Sequence, residues 1–253
     1  MQPKLSYTVW FTQRTGSSLL CRLLEDTGVA GVPNEWLNYP IGTDPFAHFG
    51  VETSAELQQR LYELGSTPNG VYGLKYGLSE PHFSELVTTL RAFPACEAAG
   101  RSRAEVWACA FPNGKHLFST RRNKVRLAVS WWKAIQSDEW HREKGQPPQA
   151  QDLSDAYNFD AINHLFNECS MREAGIQAFY DEAGITPLTI VYEDFVANYR
   201  ETVERVLAYL GLELPSARTL PEPHYAPLAD DVSEAWVQRF REERQAGWKN
   251  RGW

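Results

Sequence analysis

A chain of 253 residues with 43% hydrophobic and 23% charged residues suits one large globular domain, and no break in composition marks a second. The formal net charge of −7 argues against a protein that coats nucleic acid, so an anionic ligand would need a local basic cluster, and one stands at Arg121 to Arg126. No apolar run reaches the roughly 18 residues of a membrane span and no signal-type h-region is seen, so the expected location is cytoplasmic.

The elements follow in chain order. Residues 5–12, LSYTVWFT, are β-branched and aromatic and predict a strand. It ends in QRTGSS, after which Leu19, Leu20, Leu23 and Leu24 form a helical stripe closed by Gly28. Gly70 to Tyr76 predicts a second strand. Residues 93–115 mix Pro, Gly, Cys and charge and read as a loop or helical insertion. A third strand, His116 to Thr120, passes through a basic turn into a helix over Lys124 to Gln136. HREKGQPPQAQD, residues 141–152, reads as a mobile connection of the kind that covers active sites. A fourth strand spans Pro187 to Tyr192, and a helix over Tyr199 to Leu210 stops at Gly211. The C-terminal tail, residues 213–253, begins extended and Pro-rich and carries a last amphipathic helix over Ser233 to Arg244. Strands alternating with helices predict an α/β fold with a mostly parallel sheet, whose ligands bind beyond the carboxyl ends of the strands.

Cys21, Cys96, Cys109 and Cys169 lack metal-ligand spacing and read as thiols, a Cys96–Cys109 disulfide being the less favoured alternative. The nine Trp read mainly as bulky core, with a role in lining an acceptor pocket as the sharper alternative.

Two turns carry chemistry. At the first, Gln13 to Ser18, a strand enters a helix directly, so backbone N–H groups and the helix dipole converge on one point that attracts phosphate or sulfate. Gly16 permits the tight backbone, Ser17 and Ser18 add hydroxyls, and Arg14 adds a forked charge. The Walker pattern is half met, since Ser17 stands where its Lys belongs. Taken alone, an ordinary turn with a capping Ser explains the motif equally well. At the second turn, Arg122 leaves a strand and Ser130 follows two helical turns on, so both can reach one anion if the turn folds back. Arg121, Lys124 and Arg126 read as a solvated basic face.

These motifs resemble those of the sulfotransferases that use 3′-phosphoadenosine-5′-phosphosulfate (PAPS). Their 5′-phosphosulfate loop is similar to Arg14-Thr15-Gly16-Ser17-Ser18, and their 3′-phosphate motif to Arg122 with Ala128-Val129-Ser130. Tyr192-Glu193-Asp194 and Leu210-Gly211 match a third landmark. Within that superfamily the chain resembles most the bacterial trehalose 2-sulfotransferase type, through Gln13, Pro33-Asn34-Glu35-Trp36, Ala134 to Trp140, Tyr157-Asn158-Phe159 and Ile185 to Asp194. The insertion at 93–115 and the tail depart from that type, and both bear on the acceptor pocket.

The resemblance implies a single P-loop-type α/β domain with a central parallel sheet flanked by helices. It implies PAPS as donor, 3′,5′-ADP as product, a small-molecule hydroxyl acceptor, and no metal or flavin. Arg14, Thr15, Gly16, Ser17 and Ser18 would hold the 5′-phosphosulfate beside Gln13, Arg122 and Ser130 the 3′-phosphate, and Tyr192 would sit near the adenine. Glu35 would be the general base, with His48 in reserve and Arg14 assisting the leaving group. Lys75 reads equally as added donor-site charge or as a snorkelling strand residue. Homodimers occur in that type, and the sequence leaves this open. A P-loop kinase or NTPase, and a catalytically silent binding module, are the rival readings.

Overall fold

The computed structural model describes residues 2–97, 102–148, 152–216 and 218–248. In β1 (Leu5–Phe11) every residue after the first is buried, and all of β2 (Val71–Tyr76) is buried. Strands covered on both faces are the mark of a parallel sheet with helices above and below it. Together with β3 (Gly114–Thr120) and β4 (Leu188–Val191) they form one parallel sheet in the order β2-β1-β3-β4. All four strands fall where the sequence places them.

Successive side chains alternate between the two faces. On one side Tyr7 and Val9 of β1 pack with Leu117 and Ile190 beneath α1 (Ser17–Asp26) and α9 (Tyr199–Leu210). On the other, Trp10, Tyr72, Leu74 and Tyr76 pack against α3 (Ser54–Gly65), α4 (His82–Arg91) and α5 (Arg103–Ala110). A third apolar cluster joins α6 (Lys124–Ser137), the first half of α7 (Phe159–Ala183) and α10 (Asp231–Gln245). Trp10, Trp107, Trp131 and Trp236 are all buried, so the core reading holds for these four.

The helices α3, α4, α7 and the short α2 (Pro45–Phe49) are not among the elements the sequence pattern predicts. In α7 the reason is visible. Ile162, Leu165 and Cys169 enter the third cluster and Ile176, Phe179 and Tyr180 the first, and between the two groups the same face carries Arg172 and Glu173, held by polar partners, so the apolar pattern breaks at mid-helix. The insertion read at 93–115 holds a 3-10 turn, Pro94–Cys96, and α5, started by a capping box of Ser102 and Glu105. Val106 and Trp107 fill core beneath it.

Candidate active site

Beyond the carboxyl ends of the strands lies a cavity of about 540 Å³. Each strand supplies part of its wall: Gln13 and Arg14 follow β1, Lys75 lies near the end of β2, Arg121 follows β3, and Tyr192 follows β4, opening α8 (Tyr192–Ala197). Arg14, Lys75, Arg121, Arg126, Lys133, Arg142 and Lys144 line it, against only Glu35 and Glu139. In a chain of net charge −7 the described lining is thus a local excess of positive charge.

The loop after β1 is held from within. Thr15 donates its hydroxyl to the Thr12 carbonyl at 2.8 Å, and Ser119 donates to the Thr15 carbonyl at 3.2 Å. Gly16 has φ 78°, and a Cβ there would lie 2.7 Å from Cδ2 of Tyr192, so only glycine lets Tyr192 close over the turn. Ser17 is buried at the start of α1. Arg14 donates through Nε to Ser130 Oγ at 3.0 Å and through Nη1 to the Trp140 carbonyl at 2.6 Å. Burial, and then the neighbouring Arg121 charge, lower its pKa to about 10, which leaves it cationic at neutral pH. Gln13 accepts from Arg172 Nη1 at 3.2 Å.

At the edge of the sheet the segment after Val32 is fastened to β2, since Lys75 N donates to the Asn34 carbonyl at 3.0 Å. That contact carries Glu35 to Lys75. The ammonium of Lys75, 4% exposed, donates to Glu35 Oε1 at 2.6 Å and to Ser18 Oγ at 2.7 Å, and sits 4.3 Å from the centroid of the Phe11 ring. Asn38 donates to the other carboxylate oxygen of Glu35. Lys75 therefore does not snorkel to solvent; its buried charge is directed at the loop after β1.

The second turn differs from expectation. Arg122 is not brought to Ser130. Its guanidinium points outward, donating through Nη1 to Asp194 Oδ1 at 2.9 Å and through Nη2 to the other oxygen, with its side chain 59% exposed. Its backbone N–H, with that of Asn123, donates to Glu193 at 3.0 and 3.2 Å, so the acidic pair opening α8 fixes this orientation. Arg121 faces the cavity instead, stacked 4.5 Å over the Tyr192 ring, with Nε buried and without a hydrogen bond. Burial lowers its pKa. The solvated-face reading therefore fails for Arg121 and also for Arg126, which lines the cavity and pairs with Glu234 at 2.5 Å. It fails for Lys124 as well, which pairs with Glu173 at 2.6 Å.

His48, the reserve base, lies on α2 against Tyr39 and Phe49, away from the cavity lining. His141 lines the cavity although no sequence motif contains it. The 141–152 connection is pinned rather than loose at its start. Lys144 N donates to the His224 carbonyl and Ala226 N to the Arg142 carbonyl, both at 2.8 Å. The tail thereby becomes a wall of the site, lined by Tyr225 to Ala229 and by Ser233 and Val237 of α10. No described residue of 93–115 lines it.

A parallel α/β sheet that gathers a glycine loop, several cations and two ion-paired carboxylates at its strand ends has the make-up of a site for an anionic ligand. The profile of the Stf0 sulphotransferase family matches residues 6–243, and the chain belongs to that family. It is 29% identical to a protein of Mycolicibacterium smegmatis named trehalose 2-sulfotransferase, over 95% of this chain and 96% of the relative. It is also 29% identical to the trehalose 2-sulfotransferase of Mycobacterium tuberculosis, over 94% of each chain. A sulfotransferase crystal structure from Alicyclobacillus acidocaldarius aligns with TM-score 0.47 and 14% identity, covering 96% of this chain and 95% of that one.

Proposed function

We propose that the protein moves a sulfuryl group from PAPS to a hydroxyl of a small carbohydrate acceptor, with Glu35 as general base. The chain of contacts Glu35–Lys75–Ser18 carries this reading, because it ties a carboxylate to the very loop suited to the phosphosulfate. The names of the relatives favour a sugar acceptor.

The residues present fit such a donor. Arg14, the amides at the start of α1, and Ser18 suit its 5′ end. Arg121, Arg126 and Ser130 suit the 3′-phosphate, since Nε of Arg121, 3.8 Å from Glu193 Oε1, makes no hydrogen bond there and can donate one to a closer anion. Tyr192, already a stacking surface for Arg121, borders the same space.

In the step itself a bond forms from the acceptor oxygen to sulfur as the bond from sulfur to the bridging oxygen breaks. The hydroxyl proton passes to Glu35, and the phosphate of 3′,5′-ADP leaves with the electron pair. Both carboxylate oxygens of Glu35 already accept one hydrogen bond and keep further lone-pair capacity for the hydroxyl. Arg14 and Lys75 offset the charge that builds on the leaving oxygen. Lys75 touches base and donor loop together, so it orients the one while neutralising the other.

Glu35→Gln should lower kcat by about 10²-fold or more with PAPS saturating. Its affinity for 3′,5′-ADP should stay within about twofold, because an amide can still accept from Lys75. Transfer of label from PAPS to a sugar panel that includes trehalose measures the first, calorimetry the second. Undiminished kcat would remove Glu35 as base, and tighter binding of ATP–Mg²⁺ than of 3′,5′-ADP by the wild type would overturn the reading itself.

A further inference from the structure

The cavity has a wall that the roles above leave without a task. His141 stacks on Tyr225, ring centroids 4.9 Å apart and planes at 22°. The two are held by a short antiparallel strap. Glu143 bridges to Tyr225, and the flanking 142–226 and 144–224 backbone bonds close it on either side. Both ends of the strap are anchored. Trp140, next to His141, accepts from Arg14 Nη1 at 2.6 Å, and the His224 ring lies 2.7 Å from Asp26 of α1. This is a built surface.

It stands at the transfer end of the cavity. The charges acting on the His141 ring are those of Arg14, Lys75 and Glu35, the groups assigned to the donor loop and the base. Tyr225 feels Arg22, Cys21 and Glu25 of α1, the helix that the donor loop starts. Neither ring nitrogen of His141 bonds to another described residue. The residue is exposed at the cavity mouth, and partial desolvation first, then the Arg14 and Lys75 charges, lower its pKa from the ordinary imidazole value. Glu35 opposes those cations without prevailing. At neutral pH the imidazole is uncharged, with one N–H donor and one acceptor nitrogen. Such a group is poorly suited to compete for sulfate or phosphate and well suited to a neutral hydroxyl, which also both donates and accepts.

We propose that His141, braced by Tyr225, is an acceptor-binding residue that hydrogen-bonds a hydroxyl of the sugar in the same cavity as Glu35. The assignment rests on the sulfuryl-transfer reading and adds to it a specificity wall made jointly by the 140–144 segment and the C-terminal tail. An acceptor lacking the bonded hydroxyl leaves the imidazole unpaired and is discriminated against.

The test is His141→Phe, which keeps a flat ring against Tyr225 and removes both nitrogens. Using labelled PAPS and the best-used sugar of the panel, the acceptor KM should rise about three- to tenfold, the worth of one neutral hydrogen bond. The donor KM and the affinity for 3′,5′-ADP should stay within about twofold. His141→Ala serves the same comparison should the Phe variant fail to fold, with 3′,5′-ADP binding reporting the fold. An unchanged acceptor KM, or a donor KM rising in parallel, overturns the assignment while leaving sulfuryl transfer intact. A wild type that binds 3′,5′-ADP yet transfers sulfate to no hydroxyl overturns both.

Discussion

Arg121 and Arg122 leave β3 side by side and meet opposite surroundings, because neighbouring side chains at a strand exit point to opposite sides. Arg121 turns into the cavity beneath Tyr192, where low exposure strengthens any contact to an anion. Arg122 turns to Asp194 in open water, where such a pair adds little stability. Arg121→Ala should therefore weaken 3′,5′-ADP binding about ten- to hundredfold, the loss of one charge-assisted contact. Arg122→Ala should change it less than about twofold, and titration calorimetry on both variants decides. The reverse ranking would mean that the donor rebuilds this turn. The sequence made the arginine pair and Ser130 legible, and with them the loop from Gln13 to Ser18, since these are local patterns. Which arginine faces inward depends on Glu193 and Asp194, some seventy residues along the chain. Spacing alone carries no information about that.

At the scale of elements, the four strands were readable because a sheet covered on both faces demands continuous apolar runs. α3 and α7 were not, since part of their burial depends on partners distant in sequence. The coupling of β1 to β3 has a consequence for stability. Trp10 of β1 donates through Nε1 to Nδ1 of His116 on β3 at 2.9 Å, both side chains being buried. Burial holds the His116 pKa at about 4, below its ordinary 6.5. The folded state thus binds its proton less readily than the unfolded chain. Its stability contribution is complete above pH 6.5 and is lost as pH falls toward about 4, at up to about 1.4 kcal/mol per unit. His116→Gln keeps an acceptor for Trp10 and removes the titration. Between pH 7 and pH 5 its urea midpoint should fall by less than that of the wild type, and equal falls would show that His116 is charged in the fold.

For the whole molecule, the site is closed by parts that are far apart in the chain. The loop after β1 supplies the proposed donor cradle and the segment after Val32 the carboxylate of Glu35. The far wall comes from the tail and from α10, which is seated on α6 and α7 by Trp236, Val237 and Phe240. Lys133 of α6 fastens the start of α10, donating to Asp230 at 2.5 Å and to the Leu228 carbonyl at 3.1 Å. Packing of the third cluster and shape of the cavity are for this reason one variable. Phe240 is fully buried in the third cluster and is not itself among the residues lining the cavity, so its truncation tests the seating of α10 without removing a lining side chain. Phe240→Ala should cost about 3–5 kcal/mol of stability through transfer and cavity terms. If α10 must be seated for the wall to form, the variant should also bind 3′,5′-ADP more weakly at a temperature where it remains folded. Saturating 3′,5′-ADP at about 100 Kd should then add roughly 2.7 kcal/mol, because a ligand that binds the folded chain and not the unfolded one stabilises it by mass action. Thermal melts with and without 3′,5′-ADP read both quantities. An unchanged affinity in a destabilised variant would show that α10 supports the fold alone, and that the nucleotide is held by the strand-end loops without it.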